Sequence, residues 1–466
     1  MSSPLATLQF LGATKTVTGS KYLLDLDGFK VLIDCGLYQG LKELRLRNWE
    51  PFPHDPQSIQ AVVFTHAHVD HCGFFPRLVK EGFEGPAYCT PSTRNLCRLL
   101  LPDTGHLQEE DARLANQRKY SKHEPALPLF TEEDAEQALP LLKTVPFHTE
   151  VELRPDLRFQ FLHAGHILGS SSVHFTIGRG DRQRRVLFSG DVGRYNRPIL
   201  EDPESVEETD TLLVESTYGN RQHDPAEPKE ALGEVIREGL ARGGKVIIPS
   251  FAVGRTQELL YLLHELEQEG KIPAVPVYID SPMAIDATTI YSNHREEHDQ
   301  EMQREARKSN PLKTSNTQFV RQFQQSQTIC RDPRPAVILS ASGMLAGGRV
   351  LNHLEECLPQ AHNTILFVGF QAIGTRGRQL QEGASEIKIH GRYIPARAAI
   401  RTIESLSAHA DCEELIRWLS PMRKAPRQTF VVHGEEAASR GLQSRLKEKL
   451  GWDSEIPDYL DTVELS

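Results

Sequence analysis

Three histidines and one aspartate lie within six consecutive residues of this chain, in the run His66-Ala67-His68-Val69-Asp70-His71. Imidazole nitrogens and carboxylate oxygens are the ligands that zinc and similar divalent cations take in proteins. Residues two apart in an extended chain project to the same side, so His66 and His68 can bind one cation. Asp70 and His71 follow a turn and can face a second point nearby. The spacing predicts a metal site. The alternative, a histidine-rich surface loop, explains neither the strand before this run nor the helix-like segment after it.

A buried strand positions this run. Residues 61–64 are Ala-Val-Val-Phe, and a short apolar run of this kind predicts a buried parallel strand. In α/β folds the chemistry sits where such strands open into polar loops. An apolar strand followed by a candidate ligand or acid–base group recurs at Asp34, His66, His166, Asp191 and Glu215. We therefore expect one site along one edge of a sheet. Asp34 could be a ligand, a turn cap or a residue that orients a metal-bound histidine, and we favour the last role.

Residues 220–378 repeat the order strand, loop, helix, which predicts a parallel α/β unit. Three of its strand ends carry small residues and an arginine. Backbone amides at a helix N-terminus bind phosphate, and arginine adds a bidentate donor. The alternative is ordinary turn glycines with surface arginines. The candidate phosphate contacts in this unit are Ser250, Arg255, Arg349, Arg376 and Arg378. None of the loops matches the P-loop pattern, so bound ATP is not predicted.

Composition narrows the function classes. The chain has 466 residues, 39% of them apolar, enough for two or three domains. Its formal net charge of −10 is unlike that of a basic nucleic-acid coat, so local groups must hold any anionic substrate. The seven cysteines include no C-x-x-C pair, which predicts reduced thiols in a cytosol. No signal peptide and no apolar run of about 20 residues is visible, so we expect a cytoplasmic protein.

Three motifs in order resemble the metallo-β-lactamase fold: the histidine run at 66–71, Gly165-His166-Ile167-Leu168-Gly169, and Ser189-Gly190-Asp191. Three more are similar to motifs of the β-CASP nucleases: Glu215-Ser216-Thr217, Ser407-Ala408-His409-Ala410-Asp411, and Val432-His433-Gly434-Glu435. The whole resembles the bacterial and archaeal group related to the nuclease subunit of the cleavage and polyadenylation specificity factor. The resemblance implies an αββα sandwich with an inserted parallel α/β domain. The sandwich would span 1–208 and 379–466, and the β-CASP domain 209–378.

The resemblance also implies a ligand set for two cations. His66, His68 and His166 would bind one cation. Asp70, His71 and His433 would bind the other, with Asp191 bridging both. Seven nitrogen and oxygen ligands are too many for one tetrahedral zinc and suit two metals that share a carboxylate. Two such metals can activate water and stabilise an in-line displacement at phosphorus. Zinc is the expected ion, with manganese as the alternative.

The remaining roles follow from the same resemblance. His409 would give a proton to the leaving oxygen, oriented by Glu215, so the expected catalytic residues are His409, Glu215 and Asp70. Ser407 joins the candidate phosphate contacts. RNA-directed members of the family generally have histidine where this chain has His433, which favours RNA as the partner. Many relatives are homodimers, although no motif here specifies one.

The predicted function is a two-metal zinc ribonuclease that hydrolyses phosphodiester bonds of single-stranded RNA in RNA processing or degradation. Endonucleolytic and exonucleolytic cutting are both compatible with the sequence. A metal-dependent hydrolase of a small ester or nucleotide is one alternative. A non-catalytic RNA-binding subunit is the other, although such homologues usually have gaps in their metal motifs and none is missing here.

Overall fold

The computed structural model describes residues 5–119, 123–224, 227–369 and 371–465. They fall into two units, the first made of Met1–Asn196, Asp202–Gln222 and His409–Ser466, the second of Arg197–Glu201 and His223–Ala408. The units therefore break at 222 and 408, beyond the breaks at 208 and 378 expected from the sequence. The second difference has a simple reason: strand Ala399–Thr402 pairs with strand Thr364–Phe367 of the second unit. The domain assignment itself stays a prediction.

The strands, in chain order, are β1 (Ala6–Phe10), β2 (Tyr22–Leu26), β3 (Phe29–Ile33), β4 (Ile59–Val63), β5 (Ala87–Cys89), β6 (Leu142–Thr144), β7 (Val151–Arg154), β8 (Leu157–His163), β9 (Ser171–Ile177), β10 (Arg184–Phe188), β11 (Thr211–Glu215), β12 (Lys245–Pro249), β13 (Val277–Ile279), β14 (Thr317–Phe319), β15 (Ala336–Ser340), β16 (Thr364–Phe367), β17 (Glu386–Ile389), β18 (Arg392–Pro395), β19 (Ala399–Thr402), β20 (Gln428–Val432) and β21 (Thr462–Leu465). The helices are α1 (Lys42–Arg47), α2 (Val69–Cys72), α3 (Phe75–Lys80), α4 (Pro91–Arg118), α5 (Glu132–Ala138), α6 (Pro228–Ala241), α7 (Arg255–Gln268), α8 (Pro282–Asn293), α9 (Gln300–Lys308), α10 (Phe323–Ile329), α11 (Val350–Cys357), α12 (Arg376–Gln381), α13 (Cys412–Leu419) and α14 (Glu436–Arg445).

The first unit is a sandwich of two sheets, with strand orders β21-β1-β2-β3-β4-β5-β6 and β20-β11-β10-β9-β8-β7. Alternating burial along β1 shows why its residues form a sheet face, since every second side chain is buried. The inner faces meet in one apolar core to which both sheets contribute, for example Phe10 and Phe430, whose rings lie edge to face at 5.1 Å. A tight turn at Asp27-Gly28 joins β2 to β3, as the sequence predicts, and both residues have positive φ.

Helices cover the outer faces of this sandwich. Trp418 of α13 and Leu442 of α14 pack against Val214 and Val431 of the second sheet. On the first sheet, Phe75 of α3 packs edge to face on Phe64 at 5.2 Å. The fold class expected from the sequence, an αββα metallo-β-lactamase sandwich, is confirmed.

The second unit is built on one parallel sheet with strand order β14-β13-β15-β12-β16-β19. Each of its neighbouring strand pairs is parallel. Its four inner strands are buried along their length, as in β15, whereas the edge strands β14 and β19 are partly exposed. Leu351 and Leu354 of α11 pack with Ile338 of β15 in the core. The predicted parallel α/β unit is confirmed. Among the described residues of the whole chain, no helix has both the length and the apolarity needed to cross a membrane.

Candidate metal centre

The predicted site residues lie at strand ends of both sheets of the first unit. Asp34 and His66 follow β3 and β4 of one sheet, whereas Asp191 and His433 follow β10 and β20 of the other. The expectation of a single sheet edge was therefore wrong. Facing sheets bring two rows of strand ends together, and an apolar run does not reveal which sheet it joins.

Three histidines cluster with the carboxylate of Asp191. Its Oδ2 lies 3.5 Å from Nε2 of His66 and 3.6 Å from Nε2 of His166. Nδ1 of His68 lies 3.1 Å from Nε2 of His66 and 3.2 Å from Nε2 of His166. One ligand atom from each of these four residues lies within 4.8 Å of the others. The structure thus brings together the first predicted ligand group.

The other oxygen of Asp191 faces a second group. Oδ1 lies 3.3 Å from Nε2 of His71 and 3.4 Å from Nδ1 of His433. The Nε2 atoms of these two histidines are 3.2 Å apart, and Oδ2 of Asp70 lies 3.6 Å from Nε2 of His433. Asp70, His71 and His433 also form a cluster of ligand atoms within 4.8 Å. The carboxylate of Asp191 therefore lies between two groups of candidate metal ligands.

The donors fit divalent cations. Asp191 is 2% exposed, and its Oδ1 is buried without a hydrogen-bond partner in the described part of the chain. A buried orphan oxygen costs free energy unless a cation or donor satisfies it. Burial acts against ionisation of Asp191, but His433, His71 and other histidines outweigh it and hold its pKa well below the usual value. A bare carboxylate among imidazole nitrogens is a ligand set suited to zinc and related ions.

Side chains next to the candidate ligands fix the orientation of their imidazole rings. Nδ1 of His71 lies 2.7 Å from Oδ2 of Asp34, which also accepts the hydroxyl of Thr65 at 2.8 Å. The Thr65 hydroxyl lies 3.0 Å from Nδ1 of His66, and that of Thr217 lies 3.2 Å from Nδ1 of His433. Asp34 thus contacts the far side of a candidate ligand, the position expected of an orienting residue. Sequence reasoning missed both threonines, although each is a hydroxyl residue one or two positions from a predicted site residue.

Beside the candidate metal ligands lies the pair His409 and Glu215. Nδ1 of His409 is 3.2 Å from Oε1 of Glu215 and 3.9 Å from Oδ2 of Asp191. Glu215 is fully buried and accepts the backbone N–H of Val192 at 2.7 Å and that of Thr217 at 3.2 Å. Burial lowers the pKa of His409, but Glu215 and Asp191 outweigh it and raise that pKa to about 9. The His409 side chain is 18% exposed, so a protonated imidazole lies at the accessible side of the cluster.

The candidate phosphate contacts all follow carboxyl ends of strands in the second unit. Two of the arginines make hydrogen bonds to other residues of the second unit. Arg349 donates to Oδ1 of Asp280 at 2.8 Å and to the carbonyls of Val320 at 3.0 Å and Arg321 at 2.6 Å. Arg376 donates to the carbonyls of Lys388 at 2.8 Å and Leu345 at 2.9 Å. These contacts hold loops together at the sheet edge.

The other candidates are also engaged. Arg255 pairs with Glu258, and Arg378 pairs with Glu382 at 2.6 Å. The hydroxyl of Ser250 lies 3.0 Å from that of Thr256. Ser407 is 2% exposed and follows a single turn of 3-10 helix. Their role as phosphate contacts stays a prediction.

The fold and the clusters of histidines and aspartates are together typical of metal-dependent hydrolases. The metallo-beta-lactamase superfamily matches residues 16–232, the Beta-Casp domain matches 256–380, and the Zn-dependent metallo-hydrolase RNA specificity domain matches 393–457. A crystal structure from Enterococcus faecalis V583 has the same fold, with a TM-score of 0.55 over 99% of this chain and 100% of its own, at 13% identity.

Proteins of similar sequence identify the family more closely. Ribonuclease TTHA0252 of Thermus thermophilus is 37% identical over 91% of this chain and 92% of its own. Transcription termination factor FttA of Methanosarcina mazei is 35% identical over 98% of this chain and 71% of its own. FttA of Methanocaldococcus jannaschii is 32% identical over the same shares. The chain belongs to the β-CASP ribonuclease family of the metallo-β-lactamase superfamily and is a metal-dependent hydrolase, as the sequence predicts.

Proposed function

We propose that this protein is a two-zinc ribonuclease that hydrolyses phosphodiester bonds in single-stranded RNA. The observation that carries the proposal is the position of Asp191, whose two oxygens face different histidine groups. A bridging carboxylate of this kind is what two cations a few ångströms apart require. When bound, such cations lower the pKa of a water and neutralise charge on phosphoryl oxygens.

In this proposal His66, His68 and His166 hold one cation, and Asp70, His71 and His433 hold the other. Imidazole nitrogens in both groups favour zinc over magnesium or calcium, which take oxygen ligands. Manganese is the alternative ion. Asp34, Thr65 and Thr217 keep the imidazole rings of these ligands oriented.

His409 acts as the general acid. Its raised pKa keeps it protonated at neutral pH, and a leaving alkoxide needs a proton as the bond to phosphorus breaks. Glu215 contacts Nδ1, and in this proposal Nε2 delivers the proton. Hydrogen bonds from two backbone N–H groups fix the Glu215 carboxylate, which in turn fixes the imidazole.

RNA is the proposed substrate because the chain matches an RNA specificity domain and its relatives include a named ribonuclease and transcription termination factors. These names connect similar proteins with RNA cleavage and with transcription termination. A homodimer stays a prediction.

The decisive experiment uses matched, internally labelled single-stranded RNA and DNA. Purified wild type and Asp70→Ala are compared with and without a chelator, and His148→Ala serves as a control in an exposed histidine. We expect RNA-selective cutting that the chelator and Asp70→Ala abolish and His148→Ala leaves intact. Product lengths then separate endonuclease from exonuclease action. Equal cutting of DNA would contradict the RNA assignment. Failure of metal-loaded protein to cut either strand would favour a small-molecule hydrolase or a binding subunit.

A further inference from the structure

Two cysteines of the second unit lie in contact although 27 positions separate them in sequence. Cys330 follows α10, and Cys357 is the last residue of α11. Their Sγ atoms are 2.7 Å apart. A disulfide bond measures about 2.05 Å, so a small movement of either side chain reaches bonding distance. The nuclease chemistry proposed above does not involve these thiols.

A histidine and a carboxylate complete the cluster. Nδ1 of His353 lies 3.2 Å from Sγ of Cys330, and Nε2 of His353 lies 2.6 Å from Oδ2 of Asp280. Burial acts against ionisation of Asp280, but hydrogen bonds from His353, Ser326 and Arg349 lower its pKa below the usual value. An ionised carboxylate accepts the proton of Nε2, which leaves the lone pair of Nδ1 facing the Cys330 thiol.

The geometry distinguishes a thiol pair from a metal site. Two cysteine sulfurs on one tetrahedral zinc, each at about 2.3 Å, would be roughly 3.7 Å apart. The observed separation is much shorter. Purely apolar packing also fails as an explanation, because an imidazole contacts Cys330 and is itself held by a buried carboxylate. This arrangement instead suits a base that removes a proton from sulfur.

Access to the pair is unequal. Cys330 is half-buried, whereas Cys357 is fully buried. A small oxidant therefore reaches Cys330 first. The hydrogen bond with Cys357 and burial raise the pKa of the Cys330 thiol, so its sulfur needs His353 to take the proton before it reacts.

We propose that Cys330 and Cys357 are a modification site that forms a reversible disulfide, with His353 as the base and a hydroperoxide as the oxidant. Cys330 Sγ attacks an oxygen of the peroxide while His353 takes the thiol proton. The O–O bond breaks, His353 returns the proton to the leaving oxygen, and Cys330 becomes a sulfenic acid. Cys357 Sγ then attacks that sulfur, the S–S bond forms, and the hydroxyl leaves with the Cys357 proton as water. With hydrogen peroxide, two thiols lose two electrons and the peroxide becomes two waters.

The test uses the full metal-loaded chain treated with hydrogen peroxide, followed by alkylation of the remaining thiols and peptide mapping by mass spectrometry. We expect a linked pair at 330 and 357 that a dithiol reductant reverses. His353→Gln should slow linkage about 100-fold, as loss of a general base does. His390→Gln, a histidine of the same unit that contacts Glu355, and Cys412→Ser are the matched controls and should link at the wild-type rate.

Cys357→Ser supplies a second, independent test that does not require His353→Gln to fold. This variant should stop at the sulfenic acid, which a nucleophile specific for sulfenic acids captures on Cys330. No linkage in wild type, no capture in Cys357→Ser, or equal linkage rates in wild type and folded His353→Gln would each overturn the proposal. Because thiol mapping is the readout, its result is independent of whether the protein cleaves RNA.

Discussion

Nδ1 of His409 lies 3.2 Å from Oε1 of Glu215, and backbone N–H groups hold the same carboxylate in place. The imidazole is thereby oriented and charged without being part of either predicted ligand group. We therefore expect His409→Ala to lower kcat on RNA by about 10²–10⁴-fold, the usual contribution of a general acid. Bound metal, measured by elemental analysis, should be unchanged. Loss of metal together with activity would contradict the assigned role.

Glu215→Gln should move the pH profile of cleavage. A general acid works in its protonated form, so the rate falls as pH rises through the pKa of His409. Glu215 raises that pKa, and burial, which lowers it, would remain in the variant. The fall at alkaline pH should therefore begin at lower pH than in wild type, in kcat profiles measured with the metal site saturated. An unchanged alkaline limb would contradict the role of Glu215.

Asp34→Ala should weaken metal binding. The carboxylate contacts Nδ1 of His71 at 2.7 Å and also accepts the Thr65 backbone N–H at 2.8 Å. Loss of an orienting partner typically lowers metal affinity about 10–100-fold. Competition with a chromogenic chelator measures the change. Asp25→Ala is the control, because Asp25 accepts the Gly28 N–H in an exposed hairpin. Equal affinities in the two variants would argue against orientation by Asp34.

Removing the metal should destabilise the first unit. The buried donors around Asp191 then have no cation to satisfy them, whereas a ligand present at 1,000 times its Kd stabilises the folded state by about 4 kcal/mol. We expect a lower Tm in chelator than in zinc for wild type, and a much smaller difference for Asp191→Ala. The comparison is made by thermal unfolding at fixed protein concentration. A Tm that does not respond to chelator in metal-loaded wild type would count against the site.

Arg349 offers a test of structural against substrate-binding roles. It donates to the fully buried carboxylate of Asp280 and to two backbone carbonyls. Arg349→Ala should lower the free energy of unfolding of the protein by about 1–3 kcal/mol, the cost of leaving buried acceptors unpaired. Arg378→Ala, which removes an exposed pair with Glu382, should cost less than about 1 kcal/mol. Denaturant unfolding compares them. A stable Arg349→Ala protein with a raised KM for RNA would restore the phosphate role.

The sequence predicted those features that local pattern determines. Apolar runs located the strands that end at Asp34, His66, Asp191 and Glu215, because a buried strand needs continuous apolar residues. It did not predict that these strands belong to two facing sheets, since periodicity carries no information about pairing partners. The strand Ala399–Thr402 shows the same limit, because its partner lies more than 30 residues earlier in the chain.

For side chains too, local pattern predicts some positions, and only the fold determines others. Histidine spacing identified ligand groups, but the hydroxyls of Thr65 and Thr217 are ordinary loop residues until the fold places them beside rings. The sequence could not predict the contacts of Arg349 either, because its acceptors come from two separate segments, at Asp280 and at Val320 and Arg321. Cys330 and Cys357 match no spacing rule, and only the packing of α11 beside the end of α10 brings them together.

The ligand groups have a consequence for synthesis of the chain. His71 and His433 meet although 362 positions separate them, and His409 also comes from the last part of the chain. A nascent polypeptide that already contains the run at 66–71 therefore lacks part of the proposed second ligand group and the proposed general acid. Strand β20, which precedes His433, must also pair with β11, although the inserted unit separates the two strands in the sequence. We therefore expect RNA cleavage only from chains whose synthesis has passed His433, so most of the message must be translated first.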